Sequence, residues 1–179
     1  FLTLYCFSTE NWKRPKDEVN YLMGLLSMQV QANIPKFNKL DIRILFLGNK
    51  DGIPESAYKG LMKAVEATKN NTTLTVQLAI NYGGWDEIAR AINKALSAGI
   101  TSFTPETLLS FVDNPSVPLP DMIVRSAGEE RLSGFMLLQS NYSEFGFYDD
   151  LWPDWNEAMV DRIVSDYQSR TRKYGGLVK

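Results

Sequence analysis

Short apolar runs alternate with segments of helical periodicity along this chain of 179 residues. Apolar runs at residues 1–7, 42–47, 74–80 and 122–124 predict four strands, with helices in the segments between them. Strands joined by helical crossovers pair in parallel, and helices then cover the faces of the sheet. The sequence therefore predicts an α/β fold with a central parallel sheet covered by helices.

The helical segments show where a core would form. A helix is predicted over residues 17–34, and Pro54 suits the first turn of another that runs to about Lys69. Further helices are expected after Gly84, from Thr104-Pro105, and after Asn156, with Gly175-Gly176 following the last. The expected apolar faces are Val19, Leu22, Met23, Leu26, Val30 and Ile34 in the first helix, Ile88, Ile92 and Ala95 in the third, and Met159, Val160, Ile163, Val164 and Tyr167 in the last.

Size and charge narrow the class of protein. A mass of 20.3 kDa favours one compact domain over residues 1–179. The net charge of −2 argues against a nucleic-acid partner, so any anion site must be local. No apolar run has the length of a membrane span, which leaves at most peripheral membrane contact.

The sequence contains no histidine and one cysteine. Nucleophile systems that depend on histidine and histidine metal sites are therefore excluded for these residues. A lone Cys6 provides neither a disulfide framework nor a thiolate cluster, which fits a reducing cytoplasm. Chemistry must come from carboxylates, arginines, hydroxyls, amides or an oxygen-bound cation.

Polar motifs follow three of the predicted strands. Residues 8–12 follow the first, residues 81–84 the third, and residues 125–134 the fourth. Ligands in open α/β sheets bind beyond the carboxyl ends of the strands. We therefore expect the three motifs to converge on one edge of the sheet.

Arg125, Arg131 and Ser133 suggest an anion clamp. Guanidinium groups match phosphate oxygens in bidentate fashion, and a hydroxyl adds a donor. The alternative is a surface loop in which the arginines pair with Glu129 and Glu130, an arrangement that contributes little stability. Spacing alone leaves both open.

Two other motifs also allow two interpretations. The segment at residues 8–15 could line a ligand, or it could be a helix cap with a packed tryptophan. Glu144 could be a ligand of a hard cation such as Mg²⁺, or the outward residue of an alternating strand. The turn at residues 151–155, with two anchoring tryptophans, is predicted to be structural. Arg170 and Arg172 could sit on a solvated face or reach a neighbouring subunit.

Taken together, the motifs resemble those of the cis-prenyltransferases, the undecaprenyl diphosphate synthase family. The resemblance covers the whole chain, and its five motifs occur in the family's order. They are FSTENWKRP at 7–15, AINYGG at 79–84, RSAGEERLS at 125–133, SEF at 143–145 with LWPDW at 151–155, and RTRKYGG at 170–176.

The resemblance implies a hydrophobic tunnel between sheet and helices, and a homodimer that condenses isopentenyl diphosphate with an allylic diphosphate, such as farnesyl diphosphate, using Mg²⁺. Undecaprenyl diphosphate, a lipid carrier for cell-wall peptidoglycan synthesis, is the implied product. By similarity, Glu144 binds Mg²⁺ and Asn11 is associated with proton removal. The implied substrate-binding residues are Ser8, Thr9, Glu10, Asn11, Trp12, Arg14, Arg125, Arg131, Leu132 and Ser133.

Departures from the family pattern concern substrate choice. The family usually has arginine where this chain has Trp85. It commonly has asparagine where this chain has Gly134, and a tyrosine-like residue where this chain has Gly146. The family's N-terminal segment, with an aspartate for Mg²⁺ and arginines for the allylic diphosphate, is absent, so we expect a truncated chain that is inactive as given. The alternatives are a short-chain or branching enzyme of the same fold and a non-catalytic partner subunit.

Overall fold

The computed structural model of the protein describes residues 1–172. The chain divides into two compact units, Phe1–Pro118 and Leu119–Lys179, and each has a parallel sheet of its own. The expected Gly175-Gly176 pair and the end of the 170–176 motif lie outside the described residues. A single domain over residues 1–179 stays a prediction.

The first unit is built on three parallel strands, β1 (Leu2–Ser8), β2 (Ile42–Leu47) and β3 (Leu74–Tyr82), with β3 in the centre. The strands confirm the parallel sheet predicted from the apolar runs. β3 continues two residues past the predicted end at residue 80, because β1 is long enough to pair Ser8 with Tyr82.

The helices of this unit follow the predicted order, with one correction. The helix expected over residues 17–34 ends at Ala32, and a second helix begins at Ile34. Pro35 lacks the N–H that would continue the hydrogen-bond ladder, and Asn33 caps the break by donating from Nδ2 to the Gln29 carbonyl at 2.8 Å. The five helices are α1 (Lys16–Ala32), α2 (Ile34–Lys39), α3 (Glu55–Ala67), α4 (Gly84–Ser97) and α5 (Pro105–Leu109).

The core of the first unit lies between the sheet and helices α1 and α3. Val19, Met23 and Val30 from the predicted face of α1 are buried there, and Ile44 and Leu61 meet them from β2 and α3. Burial of each such side chain contributes roughly 1.5–3 kcal/mol. The rest of the predicted α1 face, Leu22, Leu26 and Ile34, is partly buried against the same cluster.

An open groove of about 580 Å³ lies along α1 and α3. Met23 and Met28 line it together with the polar side chains of Ser27 and Gln31 and with Ala57 from α3. A closed hydrophobic tunnel between sheet and helices stays a prediction. No helix of the described chain is both long enough and apolar enough to span a bilayer.

The second unit contains two short parallel strands, β4 (Met122–Arg125) and β5 (Glu144–Phe147), and one helix, α6 (Glu157–Ser169). Asn156 caps α6 as predicted, since its Oδ1 accepts the Met159 N–H at 3.2 Å. Only Met159 of the predicted α6 face is buried, whereas Val160 and Val164 are exposed. β4 pairs with β5 in a sheet separate from β1–β3.

Candidate active site

The carboxyl end of β1 turns directly into a short 3₁₀ helix, Thr9–Lys13. The Oδ1 of Asn11 accepts the Ser8 N–H at 2.9 Å, which caps this turn. Thr9 and Glu10 are joined by a hydrogen bond of 3.3 Å. The capping interpretation is therefore correct for Asn11, and its side-chain carbonyl is held in one direction.

Trp12 is fixed at the rim of the sheet. Its indole Nε1 donates to Oδ1 of Asn81 at 2.6 Å, and its ring meets Phe7 edge-on at 5.0 Å between centroids. Since Trp12 follows β1 and Asn81 lies at the end of β3, the first two polar motifs meet at one edge, as predicted.

Thr9 and Gly83 approach each other at the same edge. A Cβ on Gly83 would lie 2.6 Å from the Thr9 Oγ1, so only glycine fits without displacing Thr9. Nearby, Arg14 pairs with Glu18 at 2.9 Å, and both side chains are about half exposed. Such a surface pair contributes little stability, so Arg14 can exchange this partner for a ligand anion at little cost.

A buried polar network supports this edge from below. Glu87, which is 1% exposed, accepts the Tyr82 hydroxyl at 2.6 Å and the Asp113 N–H at 3.2 Å. Asp113 in turn accepts the Gly48 N–H and forms a bidentate pair with Arg90. Sequence reasoning did not predict this network, although Tyr82 lies in the polar motif at residues 81–84, because its contacts join distant segments.

In the second unit, the loop after β4 has the residues of the predicted anion clamp. Nη1 of Arg125 donates to the Ser133 Oγ at 2.8 Å and to the Arg131 carbonyl, while Arg131 pairs with Glu129. The alternative of a surface loop is confirmed in part, since Arg131 pairs with Glu129. Arg125 instead bonds to Ser133 and to the loop backbone, and its role in an anion clamp stays a prediction. Whether this loop meets the other two motifs stays a prediction.

The backbone of this loop is unusual. Within the motif at residues 125–134, four residues have left-handed φ angles and two of them are not glycine: 65° at Ala127, 64° at Gly128, 47° at Ser133 and 77° at Gly134. Successive N–H groups in turns that combine right-handed and left-handed residues can form anion-binding concavities. The strain at Ala127 and Ser133 supports a ligand-binding role for the loop.

Glu144 opens β5 and is held by Arg170. The Nη1 of Arg170 lies 3.1 Å from the Glu144 carboxylate, and its Nη2 lies 2.9 Å from Asp166. Hydrogen bonds from Arg170 hold the pKa of Asp166 below its usual value, and a hydrogen bond from Tyr148 is the second cause. Arg172 pairs with Asp121 at 2.8 Å, so both C-terminal arginines have partners within their own unit.

The described side chains would supply only part of a Mg²⁺ site. No group of three or more acidic or cysteine side chains within residues 1–172 is placed to hold a metal ion. Glu144 offers carboxylate oxygens, the ligand type that Mg²⁺ prefers, but Arg170 neutralises it in this arrangement. A Mg²⁺ site would need additional ligands.

Comparison with known proteins gives a consistent result. Residues 1–175 match the family model described as "Putative undecaprenyl diphosphate synthase". The chain is 40% identical to the ditrans,polycis-undecaprenyl-diphosphate synthase ((2E,6E)-farnesyl-diphosphate specific) of Micrococcus luteus, over 99% of this chain and 74% of that protein. It is also 40% identical to an isoprenyl transferase of Clostridium perfringens, over 99% of this chain and 72% of the relative.

Solved structures show the same fold. A probable undecaprenyl diphosphate synthase from Campylobacter jejuni superposes with a TM-score of 0.89 at 34% identity, covering 98% of this chain and 83% of that one. Lavandulyl diphosphate synthase from Lavandula x intermedia, in complex with dimethylallyl diphosphate, gives 0.92 at 29% identity, covering 98% and 78%.

The class of protein is therefore a prenyltransferase enzyme, because the family model, the curated relatives and the solved structures with this fold are all of that kind. The chain belongs to the undecaprenyl diphosphate synthase family, which confirms the resemblance drawn from its motifs.

Proposed function

We propose that the protein catalyses cis-prenyl chain elongation, in which isopentenyl diphosphate condenses with an allylic diphosphate such as farnesyl diphosphate. The allylic carbon–oxygen bond breaks, diphosphate leaves, a carbon–carbon bond forms, and isopentenyl diphosphate loses one proton. The observation that carries the proposal is the loop after β4, in which Ser133 and the Arg131 carbonyl orient Arg125. Undecaprenyl diphosphate for cell-wall synthesis is the proposed product.

The proposed roles follow from the chemistry of the residues. Arg125, Arg131, Leu132 and Ser133 would hold isopentenyl diphosphate, because guanidinium and hydroxyl donors bind diphosphate oxygens. Asn11 is proposed to assist the loss of the proton, with its carbonyl already oriented by Ser8. The remaining residues of the Ser8–Arg14 segment, Thr9, Glu10, Trp12 and Arg14, would line the substrates.

Magnesium, the oligomeric state and the compartment belong to the same proposal. Mg²⁺, with Glu144 as one ligand, would neutralise charge on the diphosphates when bound. The exposed side chains of Phe145, Phe147, Val160 and Val164 support a homodimer, because they would be buried by a second chain. We propose a cytoplasmic enzyme.

The test is an assay with Mg²⁺, farnesyl diphosphate and labelled isopentenyl diphosphate, carried out on the full-length protein. Label is expected in a long-chain lipid that organic solvent extracts. Absence of label in any extractable lipid would overturn the proposal.

A second candidate is a short-chain or branching enzyme of the same fold. The structural similarity to lavandulyl diphosphate synthase and the exposed Trp85 beside the edge favour it. The mass of the product separates the two. A non-catalytic partner subunit would instead co-purify with an active homologue, and the arginine loop argues against it.

A further inference from the structure

Asn81 joins three segments at the carboxyl edge of the first sheet. Its Nδ2 donates to the carbonyls of Asn49 and Asp51, each at 2.9 Å, and its Oδ1 accepts the Trp12 indole N–H at 2.6 Å. The side chain is almost completely buried, with 4% exposed. The segment after β1 and the loop after β2 are therefore both tied to the end of β3.

The orientation of the Asn81 amide follows from these partners. Two carbonyl oxygens can only accept hydrogen bonds, so they must face the Nδ2 group. The amide oxygen then has to point toward Trp12, whose indole N–H can only donate. The loop at residues 49–51 thus determines which atom Asn81 presents to Trp12.

The backbone at this point is also fixed. Asn81 has a φ angle of 50°, a left-handed conformation that asparagine tolerates better than most residues. A Cβ on Gly48 would lie 2.2 Å from the Ile80 carbonyl oxygen, so the loop after β2 packs directly on the end of β3. Asn81 is held from both sides, which makes it a firm support for Trp12.

We propose that Asn81 is a positioning residue for the prenyl transfer reaction, acting through Trp12 on the substrate-lining Ser8–Arg14 segment. This inference rests on the proposed function. Catalysis is sensitive to displacements of about 1 Å, which can reduce the rate roughly 100-fold. Losing the Asn81 contact would let the indole and its turn move by such a distance without unfolding the sheet.

The test uses Asn81→Gly in the full-length protein, a change that keeps the left-handed backbone and removes all three hydrogen bonds. The readout is the indole ¹⁵N–¹H resonance of Trp12 in the NMR spectrum, assigned by its loss in Trp12→Phe. We expect the resonance to move toward that of a solvated indole and kcat to fall roughly 10- to 100-fold. Unchanged kcat with a displaced resonance, or an unchanged resonance, would overturn the inference.

Asn71→Gly is the matched control. Asn71 also bridges loops, since its Nδ2 donates to Asn38 Oδ1 at 2.9 Å and to the Ile42 carbonyl at 2.8 Å. It does so at the opposite end of the sheet, where β2 and β3 begin. The control should lose stability comparably while its kcat stays within about twofold of wild type, because separate sites act independently. An equal loss of kcat in both variants would mean that Asn81 is merely structural.

Asn81→Asp keeps the inference testable if the glycine variant does not fold. The carboxylate has the same shape and can accept from the indole, but it cannot donate to the loop carbonyls. We expect a lower kcat because the side chain is no longer oriented; wild-type kcat would contradict the inference. If wild type itself shows no transfer, the proposed function fails instead, whereas activity in wild type isolates the role of Asn81.

Discussion

Arg125 and Ser133, eight residues apart, are joined by a hydrogen bond of 2.8 Å from the guanidinium to the hydroxyl. The bond closes the loop after β4 and holds one arginine in place before any ligand binds. A guanidinium that is already oriented loses less conformational entropy when it binds a diphosphate. The loop is therefore preorganised on its Arg125 side, while Arg131 pairs with the partly exposed Glu129.

Arg131→Ala should weaken binding of isopentenyl diphosphate roughly 10- to 100-fold, because charged hydrogen bonds to the diphosphate are lost. Binding of the allylic diphosphate should change much less. Isothermal titration with each diphosphate measures both. Arg162→Ala is a suitable control, since the Arg162 side chain is 63% exposed and the Arg131 side chain is 62% exposed. Equal losses for the two diphosphates in Arg131→Ala would contradict the assignment.

Arg170→Met should raise the pKa of Asp166 toward the ordinary value for an aspartate. The hydrogen bonds from Arg170 are the largest cause of the lowered pKa, followed by the bond from Tyr148. A carbon-13 NMR titration of the carboxyl groups follows the change. Arg162→Met, which removes a weaker and more distant charge, should raise the pKa less. A larger rise in the Arg162 variant would rule out the Arg170 pair as the main cause.

Protonation of the Asp113 carboxylate should contribute to the loss of stability in acid. Burial alone would raise its pKa, but Arg90 and then Lys94 outweigh burial and hold the pKa below its usual value. A carboxylate with a lowered folded pKa stabilises the fold above its unfolded pKa of about 3.9 and loses that effect as the pH falls further.

Asp113→Asn should therefore lower the free energy of unfolding by about 3 kcal/mol near neutral pH, because Arg90 loses its charged partner. Its stability should also decline less steeply than that of wild type below about pH 4. Urea unfolding across this range measures both effects. Parallel pH profiles for the two proteins would show that Asp113 does not carry the dependence.

Gly60 and Gly24 should respond in opposite directions to the same substitution. A Cβ on Gly60 would lie 2.1 Å from the Ser27 Oγ, so Gly60→Ala forces α1 and α3 apart and should cost about 1–3 kcal/mol. Gly24 has no atom within 4 Å of its added Cβ, and Gly24→Ala should stabilise α1 by about 0.5–1 kcal/mol.

Unfolding in urea compares the two variants directly. Adding Ser27→Ala to Gly60→Ala should restore part of the lost stability, because it removes the nearest clashing atom. A destabilised Gly24 variant, or no rescue by Ser27→Ala, would argue against this packing of the two helices.

The fold could be predicted from local patterns, and the errors of that prediction have local causes. Apolar runs located β1, β2 and β3, and helical periodicity identified the buried residues Val19 and Met23. The α1 helix was predicted too long because periodicity continues across Asn33, whereas Pro35 interrupts the hydrogen bonds. The buried part of the α6 face was predicted to be larger than it is, because periodicity shows which residues share a face but not what covers that face.

The candidate site was predicted less completely. Strand ends and motif chemistry selected Trp12, Arg125 and Ser133 as candidate site residues and placed Asn81 in the polar motif after the third strand, but did not predict the contacts of Asn81. The partners of Asn81 lie 69, 32 and 30 residues away in the sequence. Their meeting depends on the register of β1 against β3 and on the course of the loop after β2, which no local pattern encodes. A signal was present in the AINYGG motif, where an asparagine follows an apolar strand.

The order of the strands has a consequence for biosynthesis. The central strand β3 is the last of the three to leave the ribosome, so β1 and β2 cannot form their sheet hydrogen bonds to it until about residue 82 has been made. At 5–20 residues per second, β1 precedes the end of β3 by on the order of 4 to 15 s. During this interval the apolar strands are exposed as a nascent chain, and a chaperone that binds apolar segments would protect them from aggregation.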